Sequence, residues 1–260
     1  MPEASLLFEN NLPVNALVAG ATGGIGLALC EALASNTQVA QLFVVARTAS
    51  RNTALAALAA ANPRRVVVLD CDISDELSLT TLAAAVMERV TTLHLTINAS
   101  GALHGNGLLA EKSLAQVTLA SLQAAFEINA FAPVLLAKAL MPLLRQSEPT
   151  VFASLSARVG SIGDNRLGGW YSYRAAKAAQ NQLLKTLAIE LARLNRQSIV
   201  LALHPGTTDS ALSKPFQGNV SPSKLFTPAF VAEALLHVIS QRKPADSGGF
   251  YAWDGETVGW

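Results

Sequence analysis

The sequence predicts an α/β fold: a doubly wound parallel sheet of about seven strands, with helices on both faces. Three observations carry that expectation. Short runs rich in valine, leucine and isoleucine alternate with longer stretches of helical spacing, the order that builds α/β layers. The short runs are apolar throughout, as strands covered on both faces are. No linker, repeat or composition break divides the 260 residues, so 1–260 reads as one domain, long enough to bury roughly three quarters of its unfolded surface.

The elements follow in order. Residues 15–19 (Asn-Ala-Leu-Val-Ala) read as a strand that stops at Gly20, and 25–34 as a helix. Residues 41–46 are the second strand. An alanine-rich helix at 53–61 is closed by Pro63, because the residue before a proline avoids the helical region. Strand 65–69, helix 77–90 and strand 93–97 come next. A long helix at 119–144 should bend at Pro133. Strand 150–155 precedes a helix at 171–194 that contains no Gly or Pro. Strand 198–203, helix 226–240 and strand 249–253 complete the chain.

Composition excludes several function classes. Apolar residues make up 51% and charged residues 14%, against a usual charged share of about 25%, which excludes disorder. The net charge of +1 comes without a long basic stripe, so no nucleic-acid partner is expected. Cys30 and Cys71 stand in no paired motif, and the four histidines lack ligand spacing. This pattern fits free thiols in a cytoplasmic protein and no metal. Residues 1–10 carry two acids and no basic segment, unlike a secretory signal. The apolar stretch 130–144, broken by Pro133, Lys138 and Pro142, falls short of the roughly 20 residues that span a bilayer, so no membrane partner is expected. The few charges leave two readings: an unusually large core, or a surface buried against another chain.

In open α/β sheets ligands bind beyond the carboxyl ends of the strands. After the first strand runs Gly20-Ala-Thr22-Gly23-Gly24-Ile25-Gly26, entering a helix. Glycines there let backbone approach a pyrophosphate, and the helix N-terminus favours its negative charge. Far downstream, at the start of the longest Gly- and Pro-free helix, stands Tyr173-Arg-Ala-Ala-Lys177. Residues four apart share a helix face, and a neighbouring ammonium favours the phenolate and lowers the tyrosine pKa. Tyr171 fails this test, since its partner at that spacing is Ala175.

With these motifs in order, the chain resembles the short-chain dehydrogenase/reductase family over nearly its whole length. Within that family it is similar to the C-factor/sniffer-like carbonyl reductase subgroup, through residues 158–165, 168–174, Leu103-His104, Glu111-Lys112 and Trp260. The resemblance implies a Rossmann-type NAD(P)-binding domain. It implies cofactor contacts from the glycine turn, Asp72, Ile73, Asn98, Gly101, Lys177, Pro205, Gly206, Thr208 and Ser210. It implies catalysis by Tyr173, with Lys177 holding the nicotinamide ribose and Asn129 completing a proton path through water.

One landmark departs from the pattern. The family's serine lies three residues before a glycine, and counting back from Gly160 gives Ala157. Ser156 is the first candidate in its place, although a one-residue slip on a strand turns a side chain to the other face. Ser161 is the second, and a chain without that serine remains open. After the second strand Arg47 stands where an acid would bind the ribose hydroxyls of NAD. A guanidinium pairs with a 2′-phosphate, so NADP(H) is expected over NAD(H), with Arg51 adding to the pocket.

The expected activity is hydride transfer between nicotinamide and a small carbonyl or alcohol substrate. Apolar residues of the loop 211–227, Phe216, Leu225 and Phe226 among them, suggest an apolar substrate. The alternative is a nucleotide-binding signalling or scaffold protein of the C-factor type with vestigial catalysis. The resemblance also implies a homodimer or homotetramer through the helices at 119–144 and 171–194, which read as the most apolar, with Leu135, Leu136, Ala139, Leu183, Leu187 and Leu191 as interface or core residues.

Overall fold

A computed structural model of the chain describes residues 7–8, 12–105 and 108–260. Most of the N-terminal segment read above for a signal therefore lies outside the described residues. The strands are β1 (Val14–Ala19), β2 (Val39–Ala46), β3 (Val66–Asp70), β4 (Leu95–Asn98), β5 (Thr150–Leu155), β6 (Ser198–His204), two short strands β7 (Thr207–Thr208) and β8 (Leu225–Phe226), and β9 (Gly249–Ala252). β7 and β8 pair with each other; the other seven form one sheet in the order β3-β2-β1-β4-β5-β6-β9. Every pairing in it is parallel. The order reverses between β1 and β4, which opens the crevice where ligands bind in such sheets.

Among the described residues seven α-helices cover the faces: α1 (Gly24–Ser35), α2 (Thr53–Ala61), α3 (Glu76–Met87), α4 (Leu119–Phe126), α5 (Ala132–Leu144), α6 (Tyr171–Leu194) and α7 (Pro228–Ser240). Successive strand side chains point to opposite faces, so each strand feeds two cores. Val18, Val44 and Leu203 pack with Leu29 and Leu33 of α1, Leu55 of α2 and Leu235 of α7. Leu17, Phe43 and Phe152 pack with Leu82 of α3, Leu136 of α5 and Leu184 of α6 on the other side. Strands apolar on both faces are what such a sandwich requires.

The expected helix at 119–144 is interrupted rather than merely bent. A π-turn, Glu127–Phe131, separates α4 from α5, and the Ala132 N–H reaches back to the Glu127 carbonyl. Pro133, at the start of α5, has no N–H for the Asn129 carbonyl, and the wider turn makes room for its ring. The run of 26 residues is long and apolar enough to cross a membrane by length and composition, a longer stretch than the sequence reading allowed. Its Leu136, Leu140, Leu143 and Leu144 nevertheless sit in the sheet core.

Burial also revises the account of the low charge. Leu136, Leu187 and Leu191 are buried within the chain itself, and Leu135 and Ala139 pack against the same core. α6 is amphipathic rather than among the most apolar helices, with Lys185, Glu190 and Arg193 on its exposed side. A large core therefore explains much of the shortage of charge. The exposed apolar residues nearby are others: Leu119, Phe131, Ile189 and Leu194.

Candidate active site

The glycine turn follows β1. The Gly20 and Ala21 N–H groups both donate to the Val45 carbonyl of β2, which folds the chain sharply toward α1. Gly20 has φ +81°, and a Cβ there would lie 2.7 Å from the Ser100 nitrogen. At Gly26 a Cβ would lie 2.1 Å from the Gly20 carbonyl oxygen. Only glycine fits either place. α1 begins with no side-chain cap and no acid in its first turn. Its leading N–H groups and positive dipole end thus face outward, ready for an anion.

Beyond that turn lies a cleft of about 500 Å³. It is lined by Gly23, Gly24, Ile25, Gly26, Gly101, Ser156, Tyr173, Lys177, Pro205, Gly206, Thr208 and Ser210, twelve positions that the sequence singled out. The chain brings them together from five separate segments. Thr22 is exposed, and Gly20 is set back beneath the turn.

Tyr173 and Lys177 stand one turn apart at the start of α6, 8% and 2% exposed, whereas Tyr171 is 43% exposed. The Lys177 Nζ lies 5.8 Å from the Tyr173 ring centre. It donates to the Leu155 carbonyl at 2.8 Å and to Gln180 Oε1 at 2.9 Å. Burial acts on both groups against their charged forms. It raises the Tyr173 phenol above its ordinary value and pushes Lys177 down to about 7. The sign at Tyr173 is opposite to the sequence expectation, because burial of the phenol, not the ammonium one turn away, governs it.

The chain matches the short chain dehydrogenase family over residues 14–220. It belongs to that family. A dehydrogenase acting on 1-hydroxy-2-glutathionyl-2-methyl-3-butene, from a Rhodococcus species, is 31% identical over 73% of this chain and 78% of its own length. The C-signal protein of Myxococcus xanthus is 30% identical over 57% of this chain and 84% of its own. Among solved structures, the NADPH-bound carbonyl reductase from chicken fatty liver superposes with a TM-score of 0.84 at 27% identity, over 96% of this chain and all of that one. The expected likeness to the C-factor and carbonyl reductase subgroup is thus found, and the protein is an oxidoreductase of the short-chain dehydrogenase type.

The dehydrogenase differs from its family pattern at the serine. Ala157 lines the cleft at the family's position. The neighbouring Ser156 is 4% exposed, and its Oγ donates to Asn181 Oδ1 on α6 at 2.6 Å. Its single proton is therefore held by the helix. Ser161 lines a different hollow, beside Asp164 and Trp260, and accepts from the Asp164 N–H. Ser154 accepts from Asn98 and from Gln180 beneath the cleft.

Three predicted residues of the dehydrogenase, Asn98, Asn129 and Ile73, do not line the cleft. Asn98 is sealed in the sheet, bonded to Ser154 and to the Ser100 N–H. Asn129 clamps the loop after β4: its Nδ2 donates to the Ala102 carbonyl at 2.8 Å, and its Oδ1 accepts from the Ala102 N–H. Ile73 is buried in the core. Beside Ile73, after the edge strand β3, Asp72 accepts from the N–H and Oγ of Ser74. Arg47 is exposed after β2 and has no ion-pair partner among the described residues. Arg51 lies near Asp70, which also accepts from the Ser50 N–H and Oγ.

Sequence reading missed the supports of α6 in this dehydrogenase. Glu111, 1% exposed, accepts from Ser121 Oγ, Ser172 N and Ser172 Oγ. Burial pushes its carboxyl up, but those hydrogen bonds outweigh it and hold the group below the usual range. The carboxylate thus sits at the N-terminus of α6, beside the residue preceding Tyr173, where the helix dipole favours it. Trp170, just before α6, has φ +52° and is the one described non-glycine residue with a positive φ. Its ring meets Tyr173 edge-on at 6.3 Å and Phe216 at 5.0 Å.

Proposed function

We propose that the protein is an NADP(H)-dependent carbonyl reductase or alcohol dehydrogenase. The observation that carries this reading is the buried Tyr173–Lys177 pair at a cleft whose floor is the open N-terminus of α1. The cofactor fits the residues present. Gly26 and Gly20 leave backbone where a Cβ would collide, and the uncapped first turn of α1 suits a pyrophosphate. Bound NADP(H) supplies or accepts the hydride.

The chain's own groups would manage the proton and the orientation. Burial keeps the Tyr173 phenol protonated, ready to give its proton to a carbonyl oxygen as negative charge develops there. Lys177, anchored on Leu155 and Gln180, would turn an N–H toward the ribose of the cofactor. Asn129 fixes the Ala102 backbone beside Gly101. On the substrate side Leu103, Trp170, Leu212 and Phe216 form an apolar wall, which supports an apolar carbonyl compound. The decisive experiment incubates the protein and NADPH with a panel of aldehydes, ketones and quinones. NADPH consumption supports the reading; tight binding without turnover across the panel refutes it.

NADP(H) preference rests on Arg47. Arg51 has Asp70 nearby, so Arg47 is the cation free to pair with a 2′-phosphate. Charge-assisted pairs contribute about 1.5–3 kcal/mol, so Arg47→Asp should weaken NADPH binding by about 10–150-fold while sparing NADH. Fluorescence titration of both cofactors checks this, and an unchanged NADPH affinity would remove Arg47 from the pocket.

A second reading keeps a nucleotide site without turnover, as in a signalling protein. It is favoured by Ala157 and by the Ser156 hydroxyl being held by Asn181. Self-association is part of the proposal as well. Leu119, Phe131, Ile189 and Leu194 lie exposed on α4, the π-turn and α6, and a homodimer or homotetramer would cover them. Sedimentation at micromolar concentration should give a multiple of the chain mass; a single-chain mass would end that part.

A further inference from the structure

The cleft has Ala157 where the family's serine would polarise a substrate oxygen, and His204 is among its lining residues. His204 ends β6 and lines the cleft together with Ala157 and Tyr173. The Arg158 backbone N–H donates to His204 Nδ1 at 3.3 Å, which sets the imidazole against the peptide joining Ala157 to Arg158. Because Nδ1 accepts, the ring proton resides on Nε2. Nε2 has no partner among the described residues. It is not sealed from solvent.

We propose that the Nε2–H of His204 donates the hydrogen bond that polarises the substrate carbonyl, in place of the absent serine. The inference rests on the carbonyl reductase reading and deepens it. A neutral imidazole can polarise a carbonyl without giving up its proton. His204 is held neutral: burial pushes its pKa down to about 4, Arg158 adding to that and Asp254 opposing it. In the reduction, the hydride adds to the carbonyl carbon and the C=O π pair moves onto oxygen. Tyr173 passes its proton to that oxygen, giving the alcohol and a phenolate that solvent reprotonates. His204 keeps its proton throughout.

The other donors near Ala157 are engaged elsewhere. Ser156 Oγ is given to Asn181, and Ser161 lies outside the cleft. Thr208, Ser210 and Ser213 hydrogen-bond within their own loop.

The test compares His204→Ala, Ala157→Ser and the double variant with the unaltered chain, each with NADPH and the carbonyl panel. His204→Ala should lower kcat by about 10²–10³-fold, the usual effect of losing one such donor, with NADPH affinity unchanged. Ala157→Ser in the His204→Ala background should restore kcat by about tenfold or more. A purely structural role for the Nδ1 bond to Arg158 would not be mended by that hydroxyl. Unaltered turnover in His204→Ala overturns the proposal. So does an inert unaltered chain that gains turnover on Ala157→Ser, because the reductase reading then stands while the imidazole fails to replace the serine. If NADPH binds every variant and none turns over, the reductase reading itself fails, and the role of His204 with it.

Discussion

Tyr173→Phe is expected to reduce carbonyl-dependent NADPH consumption by at least about 10²–10⁴-fold, the usual contribution of a positioned proton donor. NADPH binding should survive. The ring would keep its edge contact with Trp170 and its place over Lys177, so only the hydroxyl is lost. Burial holds the phenol in its protonated form, which suits an acid delivering a proton to a developing alkoxide. Neither other phenol lines the cleft: Tyr171 faces solvent and Tyr251 packs in the core. Stopped-flow absorbance with saturating NADPH separates binding from turnover. Wild-type turnover in Tyr173→Phe would remove this residue from the mechanism.

Gly26→Ala is expected to damage both stability and nucleotide binding. The new methyl would lie 2.1 Å from the Gly20 carbonyl oxygen and 2.8 Å from its carbon. Neither can retreat easily: the Gly20 N–H is tied to Val45, and the Ser100 backbone closes the space on the other side. Overpacking of this kind costs about 1–3 kcal/mol, which lowers Tm by about 3–10 °C in a chain of this size. The displaced N-terminus of α1 would also miss the pyrophosphate, so NADPH affinity should fall. Gly24→Ala is the control for fold, because its Cβ would meet nothing nearer than 3.5 Å and its Tm should match wild type. Calorimetry reads both, and a wild-type Tm in Gly26→Ala would show that the turn yields.

The fold was largely legible because each strand must be apolar on two faces and each helix on one, and those periods are written in single residues. The strand at 150–155 and the helix at 53–61 are found at their expected bounds. What escaped depends on contacts distant in sequence. Glu111 reads only as a point of likeness to the subgroup until Ser172, 61 positions away, donates to it. His204 follows the expected strand 198–203 and carries no role there until Arg158 donates to its Nδ1. Pro133 announced a break, but whether the helix kinks or widens depends on how the turn accommodates the ring. Ser156 lines the cleft, but its hydroxyl is given to Asn181 on α6, a contact 25 positions away. The pKa of Tyr173 could not be read from Lys177 alone, because burial is set by the whole chain.

Trp170 has a consequence for anyone wishing to reshape this enzyme. Gly168, Gly169 and Trp170 all have positive φ, so three consecutive residues take a corner that only the first two tolerate freely. The indole is held against Tyr173 and Phe216 by a backbone that would be more at ease without it. Glycine or asparagine at 170 would follow the same path with less strain and leave room where the indole now stands. Position 170 is therefore the economical starting point for a library that admits bulkier substrates, because widening the cleft and relaxing the chain there are the same change.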